Sequence, residues 1–435
     1  MNFDLGIRCD YLLSMTKNSW DRDFFIGVTG SKIIEVAPWK NQKAKKFIDA
    51  KNKVVLPGLI NSHNHLAMSL FKGVADDDSL QKWLYDYILP LEAKLLNPEF
   101  VRIGTELATL ESISFGVTTT CDMYYFEDVV GDVLDRAGVR GLIGEAILDF
   151  PVPDNKDQSG NDFKILDKMR ERFKSHERIT PCLAPHSPYA CGDETIKKVV
   201  KYADKYDLKI LMHLSETEKE MHDSQTQFQM TPLKRMEKLG LLEHHCIFAH
   251  CVCITEQDID LIVDKNCGVA YCPESNMKLG SGVAPIPKLL SKGARVGLGT
   301  DGSASNNDLS LFREMDCGAK LQKLSSKDPM AMSAFQALQL ATIKGAQALG
   351  IENKVGSLEV GKEADIIIVD LSSPHMQPVN NVISQLVYST SGLEVDTVIC
   401  NGKILFEGHQ VLSLDQEKIL SEAKRMQSKI QGFLK

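Results

Sequence analysis

Residues 54–65 read Val54-Val55-Leu56-Pro57-Gly58-Leu59-Ile60-Asn61-Ser62-His63-Asn64-His65. This is an apolar, β-rich run that ends in two histidines one residue apart. In an extended segment, residues two apart point to the same side, so His63 and His65 can grip one ion together. Seven further runs of the same kind follow: Gly116–Asp122, Val139–Leu148, Ile179–His186, Leu208–His213, Cys246–His250, Gly268–Cys272 and Arg295–Asp301. Most are separated by stretches long enough for a helix. Pro98–Phe115 and Thr195–Tyr206 carry apolar residues at three- and four-residue intervals, which suits amphipathic helices. Strands alternating with helices imply a parallel sheet with right-handed crossovers, and eight such units imply closure into a barrel.

The two ends of the chain differ from this pattern. Phe24–Pro38 and Lys46–Val54 read as short strands without an intervening helix. Ala364–Leu371 and Asp396–Val411 repeat the style, with Asn401-Gly402 as a hairpin signal. The expected architecture is α/β: a (β/α)₈ barrel over 55–360, flanked by a small β-sandwich domain built from residues 1–54 and 361–435. A terminal helix completes the second part. That tail, Asp415–Leu434, sets Ile419, Leu420, Ala423, Met426, Ile430 and Leu434 on one face. Packing onto the body is its expected role, with a contact between subunits of a homo-oligomer as the second option.

Composition bounds the function. The chain has 435 residues, 43% of them hydrophobic and 25% charged, with a formal net charge of −8. That balance argues against nucleic acid as the main partner, because neutralising phosphates needs an excess of Lys and Arg. The small basic cluster Lys43, Lys45, Lys46 reads as a solvated face. No apolar stretch approaches the roughly 20 residues that span a bilayer, and the start of the chain shows no secretory pattern. Eleven cysteines without C-x-x-C pairs read as reduced thiols, which places the protein in the cytoplasm. Cys251-Val252-Cys253 lacks the second pair a zinc finger needs. Gly356–Lys362 imitates a phosphate-binding loop, but Glu363 stands where Ser or Thr is required and the segment precedes a strand.

Chemistry concentrates where the apolar runs end. Besides His63 and His65, the fifth run ends at His213, the sixth at His250 and the eighth at Asp301. Any one of these alone is more often a core histidine or a helix cap. Together they are specific, because the carboxyl ends of all eight barrel strands meet at one face. Three imidazoles and a carboxylate form a nitrogen/oxygen set suited to Zn²⁺, and Fe²⁺ or Mn²⁺ can occupy a similar site. Glu216, three residues past His213, adds a carboxyl that a partly dry pocket would keep protonated as an acid.

Pro57–His65, His213-Leu214-Ser215-Glu216-Thr217, Gly299-Thr300-Asp301-Gly302 and Gly356–Asp370 resemble the amidohydrolase superfamily over nearly the whole chain. Two-metal members carry a bridging lysine at the end of strand four, where this chain has His186 in Pro185-His186-Ser187-Pro188-Tyr189. The resemblance therefore implies one divalent metal, held by His63, His65, His213 and Asp301. Gly73–Asp77, Leu89-Pro90-Leu91-Glu92 and Cys272-Pro273-Glu274-Ser275-Asn276 are similar to the 5-methylthioadenosine/S-adenosylhomocysteine deaminases. In that family the residues matching Glu92 and His186 contact the nucleoside, Glu92 at the ribose hydroxyls.

The implied reaction is hydrolytic deamination of an adenine ring, on 5′-methylthioadenosine, S-adenosylhomocysteine or adenosine. Asp301 would take a proton from water and pass it to departing ammonia, Glu216 would protonate the ring nitrogen, and His250 would orient the water. Some family members carry arginine where this chain has Glu145, which turns the expectation towards methylthioadenosine or another adenosine derivative. The alternatives are a deaminase of guanine or aminofutalosine, a triazine hydrolase, and a non-catalytic scaffold relative.

Overall fold

The computed structural model describes residues 3–157 and 160–434. Sixteen strands fall into two sheets among the described residues. The first strands are β1 (Phe3–Leu12), β2 (Asp21–Thr29), β3 (Lys32–Pro38) and β4 (Ala44–Pro57). The barrel strands are β5 (Leu59–Asn64), β6 (Val117–Tyr124), β7 (Arg140–Ile147), β8 (Ile179–Pro185), β9 (Ile210–Leu214), β10 (Cys246–His250), β11 (Gly268–Tyr271) and β12 (Arg295–Leu298). The chain then returns through β13 (Ile366–Asp370), β14 (Val395–Cys400), β15 (Lys403–Glu407) and β16 (Gln410–Val411).

Strands β5 to β12 pair in sequence order, every neighbour parallel. Seven of the runs anticipated from sequence are each one of these strands, while the first is divided, residues 54–57 ending β4 in the other sheet and the remainder forming β5. They read as continuous apolar runs because both faces are covered. Alternate residues such as Ile60, Cys121, Leu142, Cys182, Leu211 and Ile247 fill the barrel interior. The intervening ones, such as Ile143, Leu183, Met212 and Phe248, pack outward against helices.

The ring closes between β5 and β12 mostly through side chains. Asn61 accepts from Thr300 N at 3.1 Å and donates to Thr300 Oγ1 at 2.8 Å. Asp301 N donates to His63 O at 3.1 Å. Gly299 permits this approach, since a Cβ there would stand 2.9 Å from the His63 backbone nitrogen. Closing the barrel thereby sets His63 and Asp301 side by side.

The terminal strands form one hydrogen-bonded sheet, ordered β16-β15-β14-β13-β4-β1-β2-β3. It curls over its own core of Ile7, Ile26, Ile33, Val55, Ile366 and Ile399. The tip of the β2–β3 hairpin reaches the segment entering β13, where Ala364 N donates to Ser31 O at 2.7 Å. The layered core expected of a sandwich is thus made by one continuous sheet. Asn401 and Gly402 both take positive φ and turn β14 into β15, as an Asn-Gly hairpin requires. A buried ion pair fastens the sheet to the barrel: Arg140, opening β7, reaches both carboxylate oxygens of Asp365 at 3.2 Å.

The tail helix, Gln416–Leu434, packs on the helix Pro98–Ser114 through Arg102–Glu422 and Arg425–Glu99 pairs. Ile419, Met426 and Ile430 are buried, but Leu420 and Leu434 are exposed. The buried stripe is narrower than the six-residue face read from sequence, because the helix lies on the surface and its neighbours cover only part of that face. No helix among the described residues is long and apolar enough to cross a membrane.

Candidate metal centre and adjoining cavity

The side chains singled out at strand ends meet at the carboxyl face of the barrel. Ligand atoms of His63, His213, His250 and Asp301 all lie within 4.8 Å of one another. His65 joins them, with Nε2 3.2 Å from both Asp301 Oδ1 and His213 Nε2. Five groups therefore surround one point, one more than the expected ligand set.

What lies behind each ring decides which nitrogen faces that point. His65 Nδ1 sits 2.5 Å from Met123 O and His213 Nδ1 2.9 Å from His186 O. A carbonyl only accepts, so both Nδ1 atoms carry the proton and both Nε2 atoms present lone pairs. A cation must then lie between two nitrogens 3.2 Å apart, either a metal ion or the extra proton that Asp301 favours on His65. His63 Nε2 is buried without a hydrogen-bond partner, and such groups need an explanation. A divalent ion supplies it, and the nitrogen/oxygen donors fit one. His250 Nδ1 is 2.9 Å from Asn276 Oδ1, so the same logic leaves its Nε2 facing the cluster.

Burial and crowding set the protonation states. Burial, more than its neighbours, lowers His63 to about 4, and His213 falls well below the usual imidazole range for the same reason. Neutral rings are what a metal requires. Burial alone would raise Asp301, yet its contacts with His63 and His65 outweigh that and hold it well below the carboxylate range. Its Oδ2 accepts from Ser275 Oγ at 2.7 Å and Ser305 Oγ at 2.8 Å, leaving Oδ1 towards the histidines. Asp301 and His250 both adopt left-handed backbone, φ +57° and +71°, a strain of about 1–3 kcal/mol each that clusters at working sites.

Glu216 stands beside the cluster. Its Oε2 is 3.8 Å from His250 Nε2, and Ser281 Oγ donates to its Oε1 at 3.3 Å. Burial raises its carboxyl above the ordinary glutamate value. Glu220 is buried and accepts from Ser215 N and Glu216 N, both at 2.9 Å. It holds the backbone from which Glu216 projects.

A cavity opens over the cluster, lined by His65, His186, His213, Glu216, His250 and Asp301 at its floor. Glu92 enters from the helix Leu89–Leu95 and is buried, with Tyr124 Oη donating to its Oε1 at 2.5 Å. Burial pushes this carboxyl up to about 7. The turn just before it, Trp83–Ile88, is wound as a π-helix. Pro90 has no N–H to give the carbonyl of Asp86, and widened winding accommodates the ring. Trp83, Leu84, Ile88 and Leu89 form the wall facing the floor.

Glu145 does not line this cavity. It is buried and accepts from Glu127 N at 2.7 Å and Phe126 N at 3.3 Å, at the start of the helix Glu127–Ala137. Burial, with Asp154 beside it, pushes its carboxyl well up. Of the loop 151–163, Phe150 at its entrance reaches the cavity, while residues 158 and 159 lie outside the described residues. All eleven cysteines are free thiols.

Sequence reasoning missed Tyr124, Ser275, Ser305, Asn276 and Glu220. Ser275 and Asn276 lie in the Cys272–Asn276 motif, so a signal was present there. The other three carry none that local pattern could expose.

The Amidohydrolase family pattern matches residues 54–405. A 5-methylthioadenosine/S-adenosylhomocysteine deaminase of Syntrophobacter fumaroxidans is 41% identical over 88% of this chain and 87% of its own length. A 5′-deoxyadenosine deaminase of Methanosphaera stadtmanae is 39% identical, over 88% and 89%. Among solved structures, an adenosine deaminase of Xanthomonas campestris with bound zinc superposes with a TM-score of 0.96 at 34% identity, covering 99% of each chain.

Proposed function

This chain belongs to the amidohydrolase family, and from that premise we propose that it is a metal-dependent deaminase converting the adenine ring of a small adenosine derivative to hypoxanthine with release of ammonia. The observation that carries the reading is the meeting of histidines and one aspartate, drawn from strand ends more than 200 residues apart in sequence, at the floor of a cavity walled by apolar and aromatic side chains. Relatives named as deaminases of such nucleosides support the substrate class.

His63, His65, His213 and Asp301 hold the metal in this proposal, with His250 beside it. A bound divalent ion makes water acidic enough to attack near neutral pH. Asp301 takes the proton released from the water and later hands it to ammonia. Its Oδ2, held by two serine hydroxyls, fixes the carboxylate plane so that Oδ1 faces the floor. His250, fixed by Asn276, orients the water towards the amino-bearing carbon. Glu216 gives its proton to the adjacent ring nitrogen, a task its raised pKa suits. Glu92 accepts from the ribose hydroxyls, and His186 borders the ring. The reaction balances as nucleoside plus water giving the hypoxanthine nucleoside plus ammonia.

A nucleoside substrate, a cytoplasmic location and a homo-oligomeric state belong to this proposal, as does the division at residues 54 and 360. The test is ammonia release from metal-loaded protein with 5′-deoxyadenosine, 5′-methylthioadenosine, S-adenosylhomocysteine, adenosine, guanine and aminofutalosine. Turnover of the adenosine derivatives is expected. Turnover of guanine alone, or of none, refutes the proposal.

A further inference from the structure

We infer that the cavity selects adenosine derivatives whose 5′ substituent is uncharged, such as a hydrogen or a methylthio group, and turns away those ending in a free carboxylate or phosphate. The inference rests on the deaminase reading above. Among the described residues, no lysine or arginine lines the cavity. Its ionisable groups away from the imidazoles and aromatic hydroxyls are Glu92, Glu216 and Asp301, all acids.

With the ring at the floor and the ribose at Glu92, the 5′ carbon meets the upper walls. Those walls are hydrocarbon and aromatic: Leu80, Trp83, Leu84, Ile88, Leu148 and Leu279. The rim adds Tyr85, Phe150 and Tyr189, each partly exposed. A methyl or methylthio group buries its surface there at no polar cost.

An ionised tail is treated differently. It gives up water against apolar walls, and no cation stands there to repay the loss. Glu92 adds a like charge whenever it is ionised. The position at which the resemblance sets arginine is Glu145, whose carboxyl is turned away to the start of a helix. Adjoining cavities do contain cations, each already engaged: Lys219 is largely exposed and paired with Asp223 at 2.5 Å, Arg235 is paired with Asp193 at 2.7 Å, and Lys198 lies over the Phe163 ring at 3.6 Å. Specificity of this kind comes from what the site withholds.

The test compares two nearly isosteric substrates, adenosine-5′-carboxamide and adenosine-5′-carboxylate, with 5′-methylthioadenosine and S-adenosylhomocysteine alongside, all on metal-loaded protein. The carboxamide and the methylthio compound should be deaminated with kcat/KM about 100-fold above the carboxylate. S-adenosylhomocysteine should also fall at least tenfold below 5′-methylthioadenosine. A carboxamide-to-carboxylate ratio below tenfold, with the neutral compounds turned over, overturns this inference and leaves the deaminase reading standing. No ammonia from any of the four overturns the deaminase reading, and this inference with it.

Discussion

Replacing Glu216 by glutamine separates proton transfer from everything else the residue does. The side chain keeps its volume, and an oxygen or nitrogen still faces Ser281 Oγ at 3.3 Å and His250 Nε2 at 3.8 Å. Glutamine can donate a hydrogen bond to the ring nitrogen but cannot surrender the proton. A positioned general acid contributes about 10²–10⁴-fold, equal to about 3–5 kcal/mol of barrier at 1.36 kcal/mol per tenfold. The variant should therefore lose that factor in kcat while keeping its metal and its unfolding midpoint.

The pH profile adds a second signature. Burial raises the Glu216 carboxyl above the ordinary glutamate value. The acid works in its protonated form, so the rate it supports is complete below that raised pKa and falls as pH climbs through it. In E216Q this alkaline fall should disappear from the residual rate. Ammonia release at saturating 5′-methylthioadenosine, with metal content measured on the same sample, decides the matter. Turnover within threefold of the parent, with metal bound, refutes the role of Glu216.

His63→Ala should lower metal content and turnover together. Dialysis of the parent against a chelator should abolish turnover and lower Tm, since bound ion at 1,000 times its Kd stabilises by about 4 kcal/mol. Unchanged metal in the variant refutes the ligand assignment. Tyr124→Phe removes the donor at Glu92 Oε1. Hydrogen bonds to charged groups contribute about 1.5–3 kcal/mol, so KM for ribosides should rise roughly 10–100-fold, while 2′,3′-dideoxyadenosine should be unaffected. Arg140→Met leaves Asp365 buried with only Asn401 N–H at 2.8 Å and the Cys400 thiol. Breaking a buried pair costs about 3–5 kcal/mol, readable as a lower urea midpoint. A shift under 1 kcal/mol refutes the clamp.

Much of the fold was legible because its signals are local. Seven of eight apolar runs fell on single barrel strands, the first also took in the end of β4, and Asn401-Gly402 turned where its backbone preferences require. β1 went unread although Phe3, Leu5, Ile7 and Cys9 alternate with Asp4, Gly6, Arg8 and Asp10. That period of two is clear once β1 is known to pair with both β2 and β4. The tail stripe was read too wide, since periodicity marks a face but not how much of it a partner covers. Glu220 carried no signal because it stands in a run of acids, and only the fold encloses it.

The sequence by itself determined that strands and helices alternate and that metal-binding residues end the strands, because strand periodicity and side-chain direction are properties of a few neighbouring residues. Only the tertiary structure decided which imidazole nitrogen faces inward, since that depends on Met123 O, His186 O and Asn276 standing behind the rings. It also decided that Glu216 is raised and that no lysine or arginine among the described residues lines the cavity. Desolvation and Coulomb interaction act between groups far apart in the chain, and they take a value only once folding has fixed the distances between them.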